Sequence, residues 1–523
     1  MHQTIRAVVA AVALAALSGA CGGDDDDSAA GGSGGDTTGG VGNVAGSAGG
    51  ATGDAGGTAT GGGGDATGGA AGAAGGTGGA AGVAGAAGVA GSGESQTGGT
   101  GGSTGGTAGM AGAAAVAGSG GSQTGGTGGS TGGAGGANGG TSGDVVIGEW
   151  LDGPGVCPSG MPQRSLSTVA QLEDAARGDG DYAGDAPGTC YLIANGTYAS
   201  SSNVLLWVTT GGTAATPRYF VGESRDGVII NARATIEADH VVIQNLTFDL
   251  TGYVNSGSFN TVSVEGTTNT TLDHVTLTGD CQTGSTGGHI ELNATVGTIV
   301  DSCVVENFGN CGPDGHLDHG VYIASTQLSV VRNSIVRGNA SRGIQFNTQQ
   351  GDYGTTDGVV IENNRIYQNG HADYEDGIAI NGEDTGTIAN VTIQHNLIYD
   401  NYYSGLRFVG AALSGIVVEH NTFADNGSGS TNQNRSEVNL DDDGSGAGTT
   451  VTGNIFAVGH QLLNDCYSSS SAGFSIEDNV VFGSGSSGDC ISGSTAADPE
   501  FESAATGDYH PTNTVVAGYG AYP

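Results

Sequence analysis

Apolar and polar residues alternate in nine short segments that recur through the second half of the chain. The segments align without gaps, and their mean spacing is about 29 residues. Alternation of this kind is typical of a strand that buries one face, so we predict one strand in each segment. The segments begin at Val241, Thr270, Thr298, Ser329, Val359, Val391, Ile416, Thr450 and Phe474.

A second short strand follows most of these segments, after a turn rich in Asn and Gly. Two or more short strands in each repeat, at a constant offset and without a helical pattern, predict parallel coils that stack about 4.8 Å apart. The predicted fold class is therefore all-β: a single-stranded parallel β-helix, or solenoid. The second strands begin at His289, Gly320, Gly343, Gly377, Gly405 and Glu437.

One column of the alignment is rich in asparagine towards its C-terminal end. We predict that this column points into the coil, where each side-chain amide would hydrogen bond to the coils above and below it. The same register points Cys303 inward. The members of the column are Leu246, Val275, Cys303, Ser334, Asn364, Asn396, Asn421, Asn454 and Asn479.

The only helical pattern lies just before the first coils, at residues 167–177. Its sequence, STVAQLEDAAR, begins with a capping box between Thr168 and Gln171 and places Val169, Leu172 and Ala176 on one face. Because a solenoid exposes its core at both ends, it needs caps. We predict that this helix covers the N-terminal end of the coil.

The order of these elements resembles the pectate-lyase-like right-handed parallel β-helix superfamily. The resemblance rests on the helix, on YLIANGTY from Tyr191, on IEADHVVIQNLTF from Ile236, on the Asn-rich coils and on the tail DPEFESAATGDYHP from Asp498. The order is most similar to the alginate lyase and chondroitinase B type. The resemblance implies a right-handed coil over about residues 150–523. It says little about activity, because this fold carries lyases, hydrolases, epimerases, phage spikes and adhesins.

The N-terminus has the pattern of a bacterial export signal. Arg6 precedes an apolar stretch at residues 7–17 that is too short to span a bilayer. LSGAC follows and resembles a lipoprotein lipobox, which would make Cys21 the lipidated first residue of the mature chain. Leu17 lies one position earlier than in the usual pattern, and the three residues before Cys21 would also serve an ordinary signal peptidase. We therefore expect an outer-membrane or cell-surface lipoprotein, otherwise a secreted protein.

Residues 22–143 are a low-complexity stretch of Gly, Ala, Ser and Thr. A block that begins at Ala90 recurs almost unchanged from Ala117. Because this composition cannot bury a core, we expect a flexible tether with a root-mean-square reach of about 60 Å. The predicted organisation is a signal peptide at 1–20, a lipidated cysteine and tether at 21–143, and the β-helix domain at 144–523.

Export permits disulfide bonds, and the coil register assigns them. Cysteines at nearly equivalent points of adjacent coils lie close together, whereas the inward-pointing Cys303 is left as a buried free thiol. The predicted pairs are Cys281–Cys311, Cys466–Cys490 and, by exclusion, Cys157–Cys190.

Charge narrows the range of partners. The 523 residues have a formal net charge of −40, and all 12 basic residues are arginine. Nucleic acids and anionic membranes require a basic surface, so we expect no nucleic acid partner and no membrane contact other than the lipid anchor. A polyanionic ligand would need a locally basic groove or bridging divalent cations. We expect a monomer.

Stacking the second strands places polar residues in two outward columns. Because neighbouring coils lie about 5 Å apart, the two columns would form one polar patch, which we expect to be exposed to solvent. The first column contains His319, Arg342, Asp376 and Ser404. The second column lies three residues further along each coil and contains Glu291, Tyr322, Gln345, Ala379 and Arg407.

This patch has the residue types that polysaccharide lyases and uronate epimerases need. Both remove a proton next to a carboxylate, which requires a group that neutralises the carboxylate, a base and an acid. We assign these roles to Arg342, His319 and Tyr322, respectively. The string DGHLDH, which ends at His319, resembles the Asp-Pro-His segment of β-helix mannuronan epimerases but lacks the proline. The residues expected to bind substrate are Glu291, Gln345, Asp376 and Arg407.

Other features argue against a simple transfer of chemistry from the superfamily. The chain has no lysine, so the lysine-based β-helix lyases offer no template, and the Asp constellation of β-helix polygalacturonases is also missing. The acidic strings at 374–376 and 441–443 have the ligand type that Ca²⁺ takes, although such runs are more often solvated loops. Ca²⁺ is therefore the one candidate cofactor, and the residues that would bind a metal ion are left unassigned.

Two functions remain open at this point. The first is a surface-anchored polysaccharide lyase or uronate epimerase. The second is a non-catalytic β-helix module for glycan binding, adhesion or structure, since outward residues on any β-helix are polar. The expected partner in both cases is a polysaccharide.

Overall fold

The computed structural model describes residues 155–522, apart from 201–202, 253–259, 282–286, 311–317, 349–353, 383–385, 411, 441–445, 465–472 and 484–490. The described chain winds through a parallel β-solenoid of about 10 turns, which confirms the predicted fold class. The predicted calls that lie outside the described residues are the signal peptide, Cys21, the tether, Cys311, Cys466, Cys490 and the acidic string 441–443.

Each coil visits three parallel sheets in a constant order, and we number the sheets 1 to 3 in that order. Sheet 1 contains Gln163–Leu166, Cys190–Ile193, Arg218–Gly222, Val241–Gln244, Thr271–Asp273, Ile299–Asp301, Val330–Arg332, Val360–Glu362, Thr392–Gln394, Val417–Glu419, Thr449–Thr452, Phe474–Glu477 and Ile491–Ser492. Sheet 2 contains Gly196–Tyr198, Val228–Ile230, Thr247–Asp249, Thr276–Thr278, Val304–Glu306, Ile335–Arg337, Arg365–Tyr367, Leu397–Tyr399, Thr422–Ala424, Ile455–Val458, Val480–Gly483 and Thr495–Ala496.

Sheet 3 completes each coil before the chain returns to sheet 1. Its strands are Val204–Val208, Arg233–Ile236, Val262–Glu265, Gly287–Asn293, Asp318–Ala324, Ile344–Asn347, Ile378–Asn381, Ser404–Val409, Ser436–Leu440 and Leu463–Asn464. A small fourth sheet lies between sheets 3 and 1 along the chain. It contains Thr356–Asp357, Ile388–Ala389, Leu413–Ser414 and Gly446–Ala447.

Each repeated segment bends once, so the prediction of a single strand per segment is wrong. Its first half lies in sheet 1 and its second half in sheet 2, as in Val360–Glu362 followed by Arg365–Tyr367. The corner between them contains a residue in the left-handed backbone region, for example His274 (φ 53°) or His395 (φ 54°). A bend of this kind is made by one residue and needs no glycine or proline to mark it in the sequence.

The asparagine column lies inside the coil, as predicted. Asn364, Asn396, Asn421, Asn454 and Asn479 are fully buried. Asn364 Nδ2 donates to Asn396 Oδ1 at 2.9 Å, and Asn396 Nδ2 donates to Asn421 Oδ1 at 3.0 Å. The same oxygens accept from the backbone N–H of the preceding asparagine, at 3.0 and 2.9 Å. This first ladder therefore satisfies buried polar groups from coil to coil.

A second asparagine ladder, which the sequence analysis missed, follows the strands of sheet 2. Asn339, Asn369, Asn401 and Asn426 are fully buried, and Nδ2 of each of the first three donates to Oδ1 of the next at 2.9–3.0 Å. Asn426, the last member, donates to the carboxylate of Glu437. The pattern is visible in the sequence, because each member lies five residues after the first-ladder position of its own coil.

The second ladder explains the glycines that begin the strands of sheet 3. A Cβ atom on Gly343 would lie 2.9 Å from Asn369 Nδ2 and 2.6 Å from the carbonyl oxygen of Gly377. His289 takes the place of this glycine at the N-terminal end of the column, where Phe308 takes the place of the asparagine. Their rings stack with centroids 4.3 Å apart. Ladder and glycine column are thus one packing unit.

Helix α1, Val169–Arg177, covers the N-terminal end of the coil as predicted. Thr168 Oγ1 accepts from Gln171 N at 3.2 Å, and the Gln171 side chain reaches back to Ser167 N at 2.8 Å, one residue beyond the predicted capping box. The helix packs against Val204–Val208, the end strand of sheet 3. No helix among the described residues has the length and apolar character needed to cross a membrane. The buried residues of α1 are Leu172, Ala175 and Ala176.

The C-terminal residues fold back onto the outer face of sheet 2, and we call residues 497–522 the tail. Within the tail, Phe501–Ser503 and Asp508–Pro511 pair in an antiparallel hairpin. Tyr509 packs on Tyr399 of sheet 2, with ring centroids 5.0 Å apart. The tail therefore buries apolar side chains that would otherwise face solvent.

The cysteines follow the predicted register wherever the structure describes them. Cys157 and Cys190 form a disulfide bond. Cys281 is also disulfide-bonded, and its predicted partner Cys311 lies outside the described residues. Cys303 is a free thiol inside the coil, and burial raises its pKa to about 12.

Candidate functional site

The outer face of sheet 3 carries the two predicted columns in the predicted order. The backbone register pairs Glu291 with Tyr322, and Tyr322 with Gln345. Further along, Ala379 pairs with Arg407. The same register continues to Trp207 at the N-terminal end of the sheet, through Thr235 and Ser263. We call this face, together with the loops beside it, the sheet 3 groove.

Arg342 lies at the centre of the groove and is oriented by groups on two coils. Its Nη1 donates to Gln345 Oε1 at 2.7 Å, and its Nε donates to the carbonyl oxygen of Tyr374 at 3.2 Å. A carboxylate oxygen of Asp376, on the next coil, lies 3.7 Å from the same Nε. The Arg342 side chain is 17% exposed, whereas Asp376 is fully buried. The guanidinium is therefore held in place with limited access to solvent.

His319 and Tyr322 lie one coil before Arg342, with their rings stacked. The ring planes are 13° apart and the centroids 5.8 Å apart. His319 is 2% exposed, and its Nδ1 makes no hydrogen bond with any described residue. Burial, reinforced by the Arg342 guanidinium, holds the pKa of His319 well below its usual value, so the imidazole is neutral at pH 7. Asn347 Nδ2 donates to the Tyr322 hydroxyl at 2.7 Å, so this hydroxyl oxygen acts as a hydrogen-bond acceptor.

Arg407 supplies a second cation in the groove, two coils beyond Arg342. Its guanidinium carbon lies 4.9 Å from the ring centroid of Tyr374. Tyr374 in turn packs on Tyr403, with centroids 5.1 Å apart. Burial raises the pKa of Tyr403 above its ordinary range. Both tyrosines lie in loops, outside the alternating strand segments, so the repeat pattern of the sequence does not identify them.

Glu291 has acid–base properties that the sequence analysis did not assign to it. Its carboxylate accepts hydrogen bonds from Ser263 Oγ at 3.1 Å and from Asn260 Nδ2. Burial, followed by the nearby carboxylate of Glu265, raises the pKa of Glu291 to about 7. A carboxyl group with a pKa near neutrality is able to exchange a proton at physiological pH. It occupies the coil before Tyr322.

The expectation that this face is exposed is wrong for its central residues. His319, Gln345 and Asp376 are buried. The loop at residues 370–376 lies beside this face, where the Tyr374 carbonyl oxygen accepts a hydrogen bond from Arg342 Nε. Strand alternation predicts the direction of a side chain, whereas its burial depends on the loops that pack beside it.

The acidic string at residues 374–376 does not converge on one point. The Glu375 carboxylate accepts from the backbone N–H groups of His371 and Ala372, whereas Asp376 lies beside the central arginine. Among the described residues, no group of three or more His, Cys, Asp or Glu side chains is arranged to hold a metal ion.

Comparison with protein families agrees with this architecture. A family described as right handed beta helix region matches residues 224–423. The fold is a right-handed parallel β-helix. The matched segment contains all the candidate catalytic and substrate-binding residues of the groove. No curated protein matches the sequence.

Several solved structures are similar to this chain at low identity. One PL6 family alginate lyase has 14% identity and a TM-score of 0.38, over 68% of this chain and 56% of the lyase. The chain thus spans little more than half the length of that protein. Pectate lyase Pel9A has 15% identity and a TM-score of 0.41, over 62% of this chain and 77% of the lyase. The A-module of an Azotobacter vinelandii mannuronan C-5 epimerase has 17% identity and a TM-score of 0.38, over 64% and 96%.

Proposed function

We propose that the sheet 3 groove binds an acidic polysaccharide, with Arg342 and Arg407 paired to the carboxylates of its uronic acid residues. The observation that carries the proposal is the presence of two of the chain's 12 arginines in one groove of a protein with a net charge of −40. They lie two coils apart, and the ring of Tyr374 and its carbonyl oxygen contact Arg407 and Arg342, respectively. A guanidinium binds a carboxylate through two parallel hydrogen bonds. A local positive site would also attract an anionic sugar that the rest of the surface repels.

We further propose that the groove acts as a lyase or a C-5 epimerase. Neutral His319 takes the proton from the sugar carbon next to the carboxylate, and Arg342 stabilises the negative charge that then develops on the carboxylate oxygens. In elimination, the electron pair forms a double bond, the C–O bond to the next sugar breaks, and Tyr322 donates its proton to the leaving oxygen. In epimerisation, Tyr322 donates that proton to the same carbon from the opposite side.

A non-catalytic glycan-binding module is the second candidate, and one observation favours it. His319 is 2% exposed, and no described residue hydrogen bonds to its Nδ1. A general base is usually oriented by a third group through its other ring nitrogen, and it needs access to its substrate. In this alternative the two arginines bind the polymer and His319 only packs against Tyr322.

The test uses the purified full-length chain and a panel of acidic polysaccharides, with and without Ca²⁺. Elimination is followed by the absorbance of the unsaturated uronate product, and epimerisation by deuterium uptake from D₂O at the sugar carbon. We expect Arg342→Ala to abolish binding and turnover. His319→Gln should lower the rate by about 100-fold or more while the affinity is kept. Binding without either product would select the non-catalytic module.

Arg332→Ala is the matched control for this experiment. Arg332 lies on sheet 1, away from the groove, where it forms an ion pair with Asp301 at 2.7 Å. The Arg332→Ala substitution removes one positive charge, as Arg342→Ala does, but at a position away from the groove. It should therefore leave binding and turnover unchanged. If Arg342→Ala and Arg407→Ala have no more effect on binding than this control, the sheet 3 groove is not the binding site.

We also propose that the domain is exported and anchored through Cys21. The Cys157–Cys190 disulfide supports an oxidising compartment, and the lipobox-like sequence before Cys21 supports lipidation. Labelling with a radioactive fatty acid should mark the wild-type chain in bacterial cells and fail to mark Cys21→Ser. Export of both chains without label would indicate an ordinary secreted protein.

A further inference from the structure

A pocket of about 430 Å³ lies between the tail and the outer face of sheet 2, away from the sheet 3 groove. Its volume falls in the range that small-molecule sites usually have. The floor comes from sheet 2 and the residues just after its strands, and the wall from the short loop of the tail hairpin. The lining residues are Arg365, Tyr367, Gln368, Tyr399, Asp400, Asp425, Ala504, Ala505, Thr506, Gly507 and Tyr509.

The aromatic rings of the pocket are already packed against each other. Tyr367 and Tyr399 stack with ring planes 8° apart and centroids 4.7 Å apart. Tyr509 packs on Tyr399 from the tail, and the guanidinium carbons of Arg337 and Arg365 lie 5.9 and 5.7 Å from the Tyr367 centroid. With these faces occupied, the tyrosines offer a ligand mainly their edges and hydroxyl groups. This arrangement therefore does not provide the open aromatic faces that a cation-binding cage requires.

The wall of the pocket is built around a glycine that leaves room for polar groups. Gly507 has φ +80°, and a Cβ atom on it would lie 3.0 Å from Arg365 Nη2 and 3.1 Å from the Tyr399 hydroxyl. Arg365 Nη2 donates to that hydroxyl at 3.1 Å and to the Gly507 carbonyl oxygen at 3.4 Å. Arg365 Nε is buried without a hydrogen-bond partner among the described residues. The small residues of the hairpin loop, Ala504–Gly507, thus form one wall of the pocket, and the polar groups of Arg365 and Tyr399 lie next to them.

Two carboxylates complete the polar lining. Gln368 Nε2 donates to Asp400 Oδ2 at 3.1 Å, and Ser428 Oγ donates to Asp400 Oδ1 at 3.0 Å, so this carboxylate is fixed in position. Asp425 follows on the next coil and is exposed. Partial desolvation of its carboxyl group by the neighbouring chain, followed by the Asp400 charge, raises the pKa of Asp425. Ionised carboxylates only accept hydrogen bonds, so the ligand must bring donors.

The charge of the pocket indicates whether an anionic, a cationic or a neutral ligand with hydrogen-bond donors fits best. One guanidinium stands against two carboxylates, and the whole chain is strongly acidic. An anionic ligand such as a uronate is therefore disfavoured here, in contrast to the sheet 3 groove. An ammonium ligand is also disfavoured, because the Arg365 guanidinium repels it and the aromatic faces that could bind it are already occupied. Neutral hydroxyl groups fit best, because they donate to Asp400 and Asp425 and accept from Arg365.

We propose that this pocket is a second carbohydrate site, which binds one neutral sugar unit through its hydroxyl groups. The site is independent of the sheet 3 groove and of any chemistry there. A protein with both sites would bind an acidic polymer on one face of the coil and a neutral glycan on another.

The test is isothermal titration calorimetry of the full-length chain with neutral gluco-, manno-, galacto- and xylo-oligosaccharides. We expect at least one of them to bind. Asp400→Ala should lower its affinity about tenfold, the effect of one hydrogen bond to a charged acceptor, and Asp400→Ala with Asp425→Ala should abolish binding. Ala505→Trp should also abolish it by filling the pocket while both carboxylates stay.

Two controls separate this site from a general effect on the protein and from the groove. Ala447→Trp adds the same bulk at another exposed alanine, on the small fourth sheet, and should leave binding unchanged. Arg342→Ala should also leave it unchanged. The proposal is overturned if no neutral oligosaccharide binds the wild type, if binding survives Ala505→Trp, or if a uronate or amine probe binds in its place and is lost in the Asp400→Ala variant.

Discussion

Asn426 Nδ2 donates to the carboxylate of Glu437 over 2.6 Å, and this contact ends the second asparagine ladder. The carboxylate belongs to the position that glycine occupies in the preceding coils, at the start of a sheet 3 strand. Glu437 is fully buried, and burial raises its pKa from 4.5 to about 8. The ladder therefore ends on a group that is largely protonated at neutral pH.

The raised pKa of Glu437 makes stability depend on pH. A glutamate with a higher pKa in the folded than in the unfolded state contributes stability that is complete below pH 4.5 and is lost as the pH rises to about 8. The loss amounts to roughly 3–5 kcal/mol in the free energy of unfolding. Glu437→Gln keeps an acceptor for Asn426 and removes the titration. Urea unfolding from pH 5 to 9 should show a smaller decline for the variant, and parallel pH curves would contradict the assignment.

Gly343→Ala should test the packing unit formed by the second ladder and the glycine column. The added Cβ would lie 2.6 Å from the Gly377 carbonyl oxygen and 2.9 Å from Asn369 Nδ2, so the coils must shift. We expect a loss of about 1–3 kcal/mol in the free energy of unfolding. The control is Gly184→Ala, where the new Cβ meets no atom within 4 Å. Equal effects of the two substitutions would show that the ladder does not exclude a side chain.

Asn396→Leu should be costly although leucine is apolar and the site is buried. The substitution removes the amide that donates to Asn421 and accepts from Asn364. Those neighbours then lose partners inside the coil, and we expect a loss of about 2–4 kcal/mol in the free energy of unfolding. Exposed Asn434, replaced by leucine in the same way, should change stability by less than about 0.5 kcal/mol. A cost for Asn396→Leu no larger than that of this control would contradict the ladder.

Arg342→Ala should destabilise the fold more than an exposed ion pair would. Because Asp376 is fully buried and Arg342 is its nearby cation at 3.7 Å, we expect a loss of about 1–3 kcal/mol in the free energy of unfolding. Arg332→Ala, which breaks an exposed pair with Asp301, should cost about 0–1 kcal/mol. Chemical denaturation of both variants measures the difference, and equal costs would mean that the Arg342 contact behaves as a surface pair.

The state of the thiols is open to direct chemical analysis. Cys303 is buried and its pKa is raised to about 12, so alkylation should require denaturation because the thiolate is the reactive form. Non-reducing peptide mapping should link Cys281 to Cys311. A bond from Cys303 to Cys311 would show that the predicted coil register is wrong at that point. The remaining expected links are Cys157–Cys190 and Cys466–Cys490.

The repeat was readable because each coil imposes the same burial on the same positions. Val300 and Val331, for example, occupy equivalent inward positions of adjacent coils, and both are fully buried. Such a constraint acts over a few residues and recurs, so it leaves an alternation in the sequence. The first ladder was readable for the same reason. The second ladder repeats too, but its meaning depends on the glycines of sheet 3, which lie in another sheet.

The corners were hidden from the sequence analysis for a different reason. A single residue such as His395 takes a left-handed backbone without a glycine or proline to mark it, and the inward positions on either side of it, Ile393 and Asn396, are three residues apart. The choice of conformation at that residue is made by the hydrogen bonds of the coils above and below. These form after the chain has wound back on itself.

The order of the groove residues followed from the repeat, whereas their chemistry did not. Stacking in register was enough to bring Glu291, Tyr322 and Arg342 to one face, because equivalent positions of parallel coils must be neighbours. The pKa shifts of the groove residues are caused mainly by burial, and burial depends on loops that do not repeat. Tyr374 reaches both arginines of the groove from one such loop, and the tail forms its pocket with sheet 2 across more than a hundred residues of sequence. Periodic local constraints leave a record in the sequence, but single contacts between distant, non-repeating segments exist only once the chain is folded.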